Sequence, residues 1–507
     1  MKRLASYLIL LCSLAAYSQT STGLIQTSNL VLRLGSDGFL KDSSVFPAIA
    51  NTNGLALLQN ATVWMSATDS AGKSRIAVQN LLNGQGEFWP GPMSLSGEQA
   101  ANSLQWNRLY PLSKGNINDH KQNYKNQSYV PSLAISNWPG SLGFPYAQVI
   151  APFVDLENND MLYEPMKGDY PYIESDAILF SISNDVANTH KVSNGLPLGI
   201  ELHTSVMSFQ DSILKNCFMV RYAVFNRSPR TYKNFRFSPV LNFKIGTLEN
   251  EYMGTEIGAQ AIYSINDTSE ATFSKKLVSL GCMALNKHIE SSMYFENNAD
   301  PINGLPVTAE HFMNLMQGKW KNGKTLNYGS NGVDGTGYAR YVYPDTTDFT
   351  HSNMRWIDQV PSKKIGLLNF DSMELKSGQA TYYDVVFFSV DENFSSFKQI
   401  GQNCLKIKQA LNTKNLLKID RNSHIKEPIL TWFPNPVKIG DKLNLQTLLE
   451  SPQCIRLVDL NGVEICKLNL DDNGKSIILP PDLNAGVYIV EYKTLNIVHI
   501  QKLILTH

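Results

Sequence analysis

Cysteine is scarce in this chain and badly spaced for crosslinking. Six occur in 507 residues. Cys12 falls inside an N-terminal apolar run, and Cys217, Cys282, Cys404, Cys454 and Cys466 are scattered over the remainder. An odd, scattered set is not a disulfide framework, and without any Cys-x-x-Cys the usual support for zinc or thiol exchange is gone. Cys454 and Cys466 flank one hairpin. If Gly462 closes a short loop there, Asp459 faces Val463 and Cys454 faces Leu468. The two thiols are then diagonal neighbours, about 7–8 Å apart at the backbone, beyond disulfide reach. Both read as small apolar fillers.

An excess of charge of one sign is also missing. Lys plus Arg and Asp plus Glu number 44 each, so no global field draws the chain to nucleic acid or an anionic membrane. After the N-terminus no apolar run approaches the about 20 residues of a spanning helix. Catalytic signatures are absent in turn. Gly91-Pro92-Met93-Ser94-Leu95-Ser96-Gly97 has the wrong spacing for a nucleophile elbow. There is no His-Glu-x-x-His and no glycine-rich phosphate loop opening a helix. No internal repeat of fixed period occurs.

What is present begins with an address. Met1-Lys2-Arg3 supplies positive charge, Leu4 to Ala16 an apolar run, and Ala16-Tyr17-Ser18 a small-x-small cleavage site before Gln19. Residues 1–18 read as a signal peptide cut between Ser18 and Gln19. Cys12 raises a lipoprotein alternative, set aside because Leu11 precedes it where such signals carry a small residue.

Length suggests about three domains. High aromatic and low charged content, 10% and 17%, with turns rich in Gly, Pro and Asn, suit an all-β protein of antiparallel β-sandwich domains. Residues 19–143 form an N-terminal β-rich region and 144–411 a central β-rich domain. Residues 412–428 are a linker, and 429–507 a small C-terminal sandwich. Strands are expected at Leu30–Leu34, Ala61–Met65, Arg75–Val78, Ala177–Ser183, Leu198–Phe209, Cys217–Asn226, Tyr338–Tyr343 and Ala380–Val390. Two minor helices interrupt them. Ala309–Gln317 carries Phe312, Leu315 and Met316 on one face, and Phe397–Leu411 carries Ile400, Cys404, Ile407 and Leu411 on one stripe.

The tail opens Trp432-Phe433-Pro434-Asn435-Pro436 and continues as short alternating strands. These run over Lys442–Leu449, Ile455–Asp459, Val463–Leu470, Ile477–Leu479, Gly486–Tyr492 and Ile497–Leu505. Turn signals separate them, among them Asp459-Leu460-Asn461-Gly462. Pro434, Asn435, Pro436, Gly462, Gly486 and Tyr488 carry a resemblance to the type A C-terminal sorting domain of the type IX secretion system, an Ig-like sandwich. The resemblance implies a secreted or outer-surface protein, delivered by the type IX machinery as partner, with the tail removed afterwards.

Further phrases resemble a broad group of uncharacterised surface proteins bearing the same tail. They include Phe88-Trp89-Pro90-Gly91-Pro92, Trp138-Pro139, Ala151-Pro152-Phe153-Val154-Asp155, Gly168-Asp169-Tyr170-Pro171 and Pro197-Leu198-Gly199-Ile200-Glu201. No activity attaches to that group, so the resemblance implies placement and architecture alone.

The acidic segment 155–185 is the first candidate for chemistry. Asp155, Glu157, Asn159 and Asp160 offer oxygen ligands at the spacing a calcium loop needs. In the resembled group this loop has Asp-x-Asp-Gly-Asp-Gly character. Here glycine is absent between Asp155 and Asp160, so the loop reads as degenerate, and calcium as the only cofactor to consider. A second departure lies at Asn242-Phe243-Lys244-Ile245-Gly246 and Glu251-Tyr252-Met253-Gly254, where the group tends to show paired aspartates. A lysine there opposes a cation, and Glu251 and Glu256 read as surface acids. His190 and His203, near the acidic segment, read as packed histidines rather than ligands.

Trp64, Trp89 and Trp138 are candidates to stack on a sugar or anchor a partner. The competing reading places most of them in the core. A non-catalytic binding, adhesive or structural surface protein is therefore expected, with a surface polysaccharide or a protein as its partner. The alternative is a secreted carbohydrate-active hydrolase using two carboxylates, a pair that sequence cannot single out.

Overall fold

The apolar run at Cys217–Asn226 becomes an interior strand, antiparallel to Ile200–Ser208 on one side and to Ala380–Val390 on the other. The structure is a computed structural model. It describes residues 20–414 and 432–506 apart from 44–45, 83, 96, 98–99, 143–145, 148–149, 157–161, 248, 267–270, 274–276, 346–355, 391–397, 434, 446–453, 460–463, 472–475 and 494–497. The expected signal peptide and residues 415–428 of the expected linker lie outside these residues, as do Pro434 and Gly462, while Asn412 and Thr413 belong to the helix before it. The fold is mainly all-β, as expected.

Two nine-stranded antiparallel sheets make the body. The first runs Thr22–Gln26, Leu30–Gly35, Ile49–Asn51, Ala56–Asp69, Tyr232–Phe243, Lys364–Phe370 and Ile289–Glu296, with Ser74–Ala77 and Met373–Leu375 added at its side. The second runs Tyr252–Glu256, Ala261–Ile265, Ser279–Ala284, Ala380–Val390, Cys217–Asn226, Ile200–Ser208, Ala177–Asn184 and Trp89–Pro90, with Tyr110–Ser113 also on Ala177–Asn184. The sheets meet face to face. Phe237 of the first stacks on Tyr383 of the second, ring centroids 4.0 Å apart and 6° from parallel.

Strand alternation divides the packing. Along Cys217–Asn226, Phe218, Val220, Tyr222 and Val224 enter the core between the sheets. Cys217 and Met219 point the other way, into a second core on the outer face. That outer core is closed by α1 (Lys114–Asn123), α2 (Leu133–Ser136) and α4 (Lys398–Thr413), which contribute Ile117, Ile135, Ile400, Cys404, Ile407 and Leu411. On the far side of the first sheet α3 (Ala309–Met316) sets Phe312 edge-on against Trp64, which also stacks on Phe295.

Three expectations need correction. Four helices, not two, occur among the described residues. In α1 only Ile117 and His120 are buried, so no apolar stripe announces it, and it is fixed instead by a Ser113–Asn116 capping box. Tyr338–Tyr343 is not a strand. Tyr338 makes an isolated bridge to Asn327 and Tyr343 sits at φ +47°, outside any extended backbone. Finally, the break between 143 and 144 does not divide the sheets. Ala56–Asp69 pairs with Tyr232–Phe243, and Tyr110–Ser113 with Ala177–Asn184.

The tail forms its own small core around Leu443, Leu457, Ile477, Val490, Leu503 and Leu505. A three-stranded sheet (Trp432–Phe433, Lys442–Leu445, Ser476–Ile478) accompanies a five-stranded one. In the latter, Val437–Lys438 runs parallel to the end of Val498–Thr506. At the hairpin, Val458 faces Glu464 as the turn geometry predicts. A bulge then shifts the register, so Leu468 faces Ile455 and Cys466 faces Leu457. Cys466 is free.

Candidate functional site

Of the expected calcium ligands only Asp155 is described; Glu157, Asn159 and Asp160 lie outside the described residues. The loop is tied at both ends by Asp169. Its Oδ1 accepts from the Leu156 N–H at 3.0 Å and its Oδ2 from the Glu164 N–H at 2.8 Å. Burial pushes the Asp169 carboxyl up, the two N–H donors oppose this, and the charges of Asp155 and Glu164 reinforce it. Among the described residues no three His, Cys, Asp or Glu side chains are placed to hold a metal.

The tryptophans separate. Trp64 is 1% exposed and donates Nε1–H to the Gln79 carbonyl at 3.1 Å. Trp138, 4% exposed, donates to the Pro152 carbonyl at 3.0 Å and leans on Phe180. Both are core, because each ring is enclosed and each indole N–H is satisfied inside. Trp89 stays half-buried beside His190. Glu251 also departs from expectation, since it is buried rather than on the surface. Its Oε1 accepts from the Ile245 N–H at 2.8 Å, while Oε2 is buried without a hydrogen-bond partner among the described residues. Burial, against the Ile245 N–H and with the charge of Glu249, pushes this carboxyl up to about 7.

His190 and His203 both sit on carboxylates, in different settings. Glu87 gathers the N–H groups of Val78, Val192 and Ser193 and the Ser193 hydroxyl, with His190 Nδ1 3.3 Å from Oε2. Asp185 accepts from Leu198, Gly199 and Ile200. This cluster is closed to solvent and fastens the 76–93 segment to 185–200.

His203 belongs to the outer face of the second sheet. Register places it opposite Ala223, and Ala223 opposite Tyr382. One step along the strands the row is Glu201, Phe225, Ala380; one step back it is Ser205, Arg221, Asp384. All nine share the outer face of the second sheet, because Leu202, Tyr222, Val224 and Tyr383 point into the inter-sheet core. Arg221 makes a two-pronged bond to Asp384, 2.6 and 2.9 Å, and a third to Glu174 at 3.1 Å. Glu201 Oε1 meets His203 Nε2 at 2.9 Å and Arg227 Nη2 at 3.0 Å, while Oε2 accepts from the Met93 N–H at 2.6 Å. Burial would raise Glu201, but Arg227 and His203 outweigh it and hold the carboxyl at about 2. Such an acid cannot deliver a proton near neutral pH.

Phe180 and Phe225 clasp the His203 ring, and Arg227 lies over Phe225 at 4.8 Å. Tyr382 is different: half-buried, and flanked by the small side chains of Ala223 and Ala380. The sequence carried a trace of this face. Glu201-Leu202-His203-Thr204-Ser205 alternates, which puts three polar groups on one side of a strand, but the rows that complete it come from distant segments.

The comparisons identify only the tail. Residues 431–506 match the family model described as a secretion system C-terminal sorting domain. No curated protein matches the chain. Solved structures are matched loosely, among them the following two. One is a polysaccharide lyase, at 10% identity over 60% of this chain and 34% of that one, with TM-score 0.19. The other is a bacterial glucoamylase complexed with acarbose, at 7% identity over 77% and 37%, with TM-score 0.29. The chain spans about a third of the length of each, and at those scores neither likeness carries an argument. The tail does. Its strands, its turns and its family match make this chain a substrate of the type IX secretion system, exported to the cell surface or secreted through a C-terminal sorting domain.

Proposed function

We propose that the mature chain is a non-catalytic binding protein held at the outer cell surface, with residues 1–18 and the sorting tail removed on the way. One observation supports this most: the buried acids of the outer face are committed. Glu201 and Asp384 are each held by a guanidinium, and Glu201 also by a main-chain N–H. A glycosidase needs two carboxyls about 5–9.5 Å apart across its substrate, one of them protonated at working pH. Glu251 holds its proton to about 7, yet it is enclosed, and its acidic neighbour Glu249 is paired with Lys363 at 2.7 Å. Half-buried aromatic rings such as Trp89 suit adhesion to a surface polysaccharide or a protein. The test is to incubate the purified mature chain with a panel of polysaccharides and proteins, measuring turnover and retention together. Retention without turnover is expected; release of sugar or peptide products overturns the reading.

A further inference from the structure

We propose that Thr22–Gln26, the end strand of the first sheet, pairs antiparallel with the same strand of a second copy of this chain. The hydrogen bonds on its inner side identify its free edge. The Ser36 N–H donates to the Ser21 carbonyl at 2.8 Å, and the Thr27 N–H to the Leu30 carbonyl at 2.9 Å. In an antiparallel pair such bonds recur at every second residue, so Gly23 and Ile25 also turn their main-chain groups toward Leu30–Gly35. Arg33, opposite Leu24, is consistent with this: its N–H goes to the Ala48 carbonyl, away from Thr22–Gln26. Thr22, Leu24 and Gln26 therefore direct their N–H and C=O groups off the end of the sheet. No strand among the described residues pairs with them there. All three side chains are exposed, Leu24 at 55%, while Ile25 between them is buried.

The other ends of the two large sheets are protected. Along Ile289–Glu296 the Ser292 N–H goes to the Arg340 carbonyl and the Glu296 N–H to that of Asn303. Along Tyr252–Glu256, Asp358 takes the Met253 N–H at 2.9 Å and the Tyr343 carbonyl takes that of Thr255. At the remaining end Trp89–Pro90 and Tyr110–Ser113 each carry a proline, which blunts an edge. Thr22–Gln26 has none of these devices, and no charge or proline occurs from Thr20 to Asn29. The same sequence selects the occupant, because it is complementary to itself. With a two-fold axis at Leu24, Leu24 meets the partner's Leu24, Thr22 meets the partner's Gln26, and Gln26 the partner's Thr22. Each such pair can exchange both of its main-chain bonds, and no like charges face each other. An isologous contact closes at two copies, and the protected ends elsewhere stop the sheet from growing. A five-residue edge buries less than the about 1,200 Å² of a stable interface, so the dimer is weak and forms where copies are crowded.

The test is sedimentation of the chain from Gln19 to His507 at concentrations from about 1 μM to about 1 mM, the range of weak association. A monomer–dimer equilibrium is expected, with dimer gaining as concentration rises. Leu24→Lys sets two ammonium groups side by side, each next to Arg33 of its own chain, and should weaken dimerisation at least about tenfold. An immobilised Leu24→Lys chain should retain free Leu24→Glu chain and let free Leu24→Lys chain pass, as only a register that sets Leu24 against itself requires. Tyr338→Lys, at an exposed aromatic elsewhere (64% exposed), should leave the equilibrium unchanged. Circular dichroism and melting establish that each variant folds. If Leu24→Lys does not, Gln26→Pro, which removes an outward N–H and no bond to Leu30–Gly35, decides in its place with the same loss expected. A monomer at every concentration overturns the proposal. Association that these variants leave intact belongs to another surface and overturns it too, and growth beyond two copies overturns the closed pairing.

Discussion

His190 directs Nε2 at the carbonyl oxygen of Asp185, 2.7 Å away, while its Nδ1 meets the carbonyl of Ile76 at 2.8 Å. A carbonyl only accepts, so both ring nitrogens must carry hydrogen and the buried ring is an imidazolium. Glu87 and Asp185 flank it, which is why the ring can stay charged away from water.

That geometry sets a pH dependence. Burial alone would lower the His190 value, but Glu87 and Asp185 outweigh it and raise it from 6.5 to about 9. A group raised on folding contributes its full stability below its unfolded value and loses it as pH climbs through the folded one. Stability should therefore decline between pH 6.5 and about 9. His190→Ala should cost about 3–5 kcal/mol near neutrality, because two buried acids lose their counter-charge. Urea unfolding across this range checks both, and an unchanged pH slope in the variant would refute the assignment.

Glu251 acts in the same direction at lower pH. Its carboxyl rises from 4.5 to about 7 in the folded chain. The unfolded group ionises first, so the folded state loses stability as pH rises through this window, by about 3 kcal/mol in all. Glu251→Gln keeps an oxygen for the Ile245 N–H and removes the ionisation. The variant should match the parent near pH 4 and exceed it near pH 8 in the same unfolding assay. A variant less stable at both ends would mean that the carboxyl serves a contact not accounted for here.

How much of this was legible depended on whether local pattern and distant contact agreed. Cys217–Asn226 and Ala380–Val390 are strands because their apolar and aromatic content needs two buried faces, and the sequence states that directly. Tyr232–Phe243 was opaque. It carries Lys233, Arg236 and Pro239, and Asn234 adopts φ +51° at a bulge, yet it is an interior strand. Pro239 lies opposite Val63 on a strand flanked on both sides, where an interior proline argues against a strand at all. The face around Ala223 was hidden for the same reason: its rows join residues more than 150 positions apart, such as Arg221 and Asp384. Helix α4 was visible through its stripe, while α1, with its polar run, was not.

The sorting tail allows a sharper test than deletion. Asn435 Oδ1 accepts from the Ile504 N–H at 2.9 Å, tying the opening phrase to the terminal strand. Asn435→Ala should loosen that junction by about 1 kcal/mol. Fused to a periplasmic reporter in a competent host, residues 431–506 should carry the reporter to the surface or medium, and the variant should do so less efficiently. Retention of the unmodified fusion in the periplasm would show that the tail is insufficient on its own.

Calcium is expected to matter little, and Asp169 is the reason. Both of its oxygens already accept main-chain N–H groups at the ends of the acidic loop, so protein donors fasten those ends. A ligand raises the melting temperature only if it binds the folded form appreciably at working concentration. Without glycine between Asp155 and Asp160, a tight oxygen cage is hard to wind. Chelator should therefore shift the melting temperature of the mature protein very little. Asp169→Ala should lower stability by about 2–3 kcal/mol whether or not calcium is present, since two charge-assisted bonds are lost. A large fall on chelation, reversed by calcium and abolished by Asp155→Ala, would instead establish an ion as the closure.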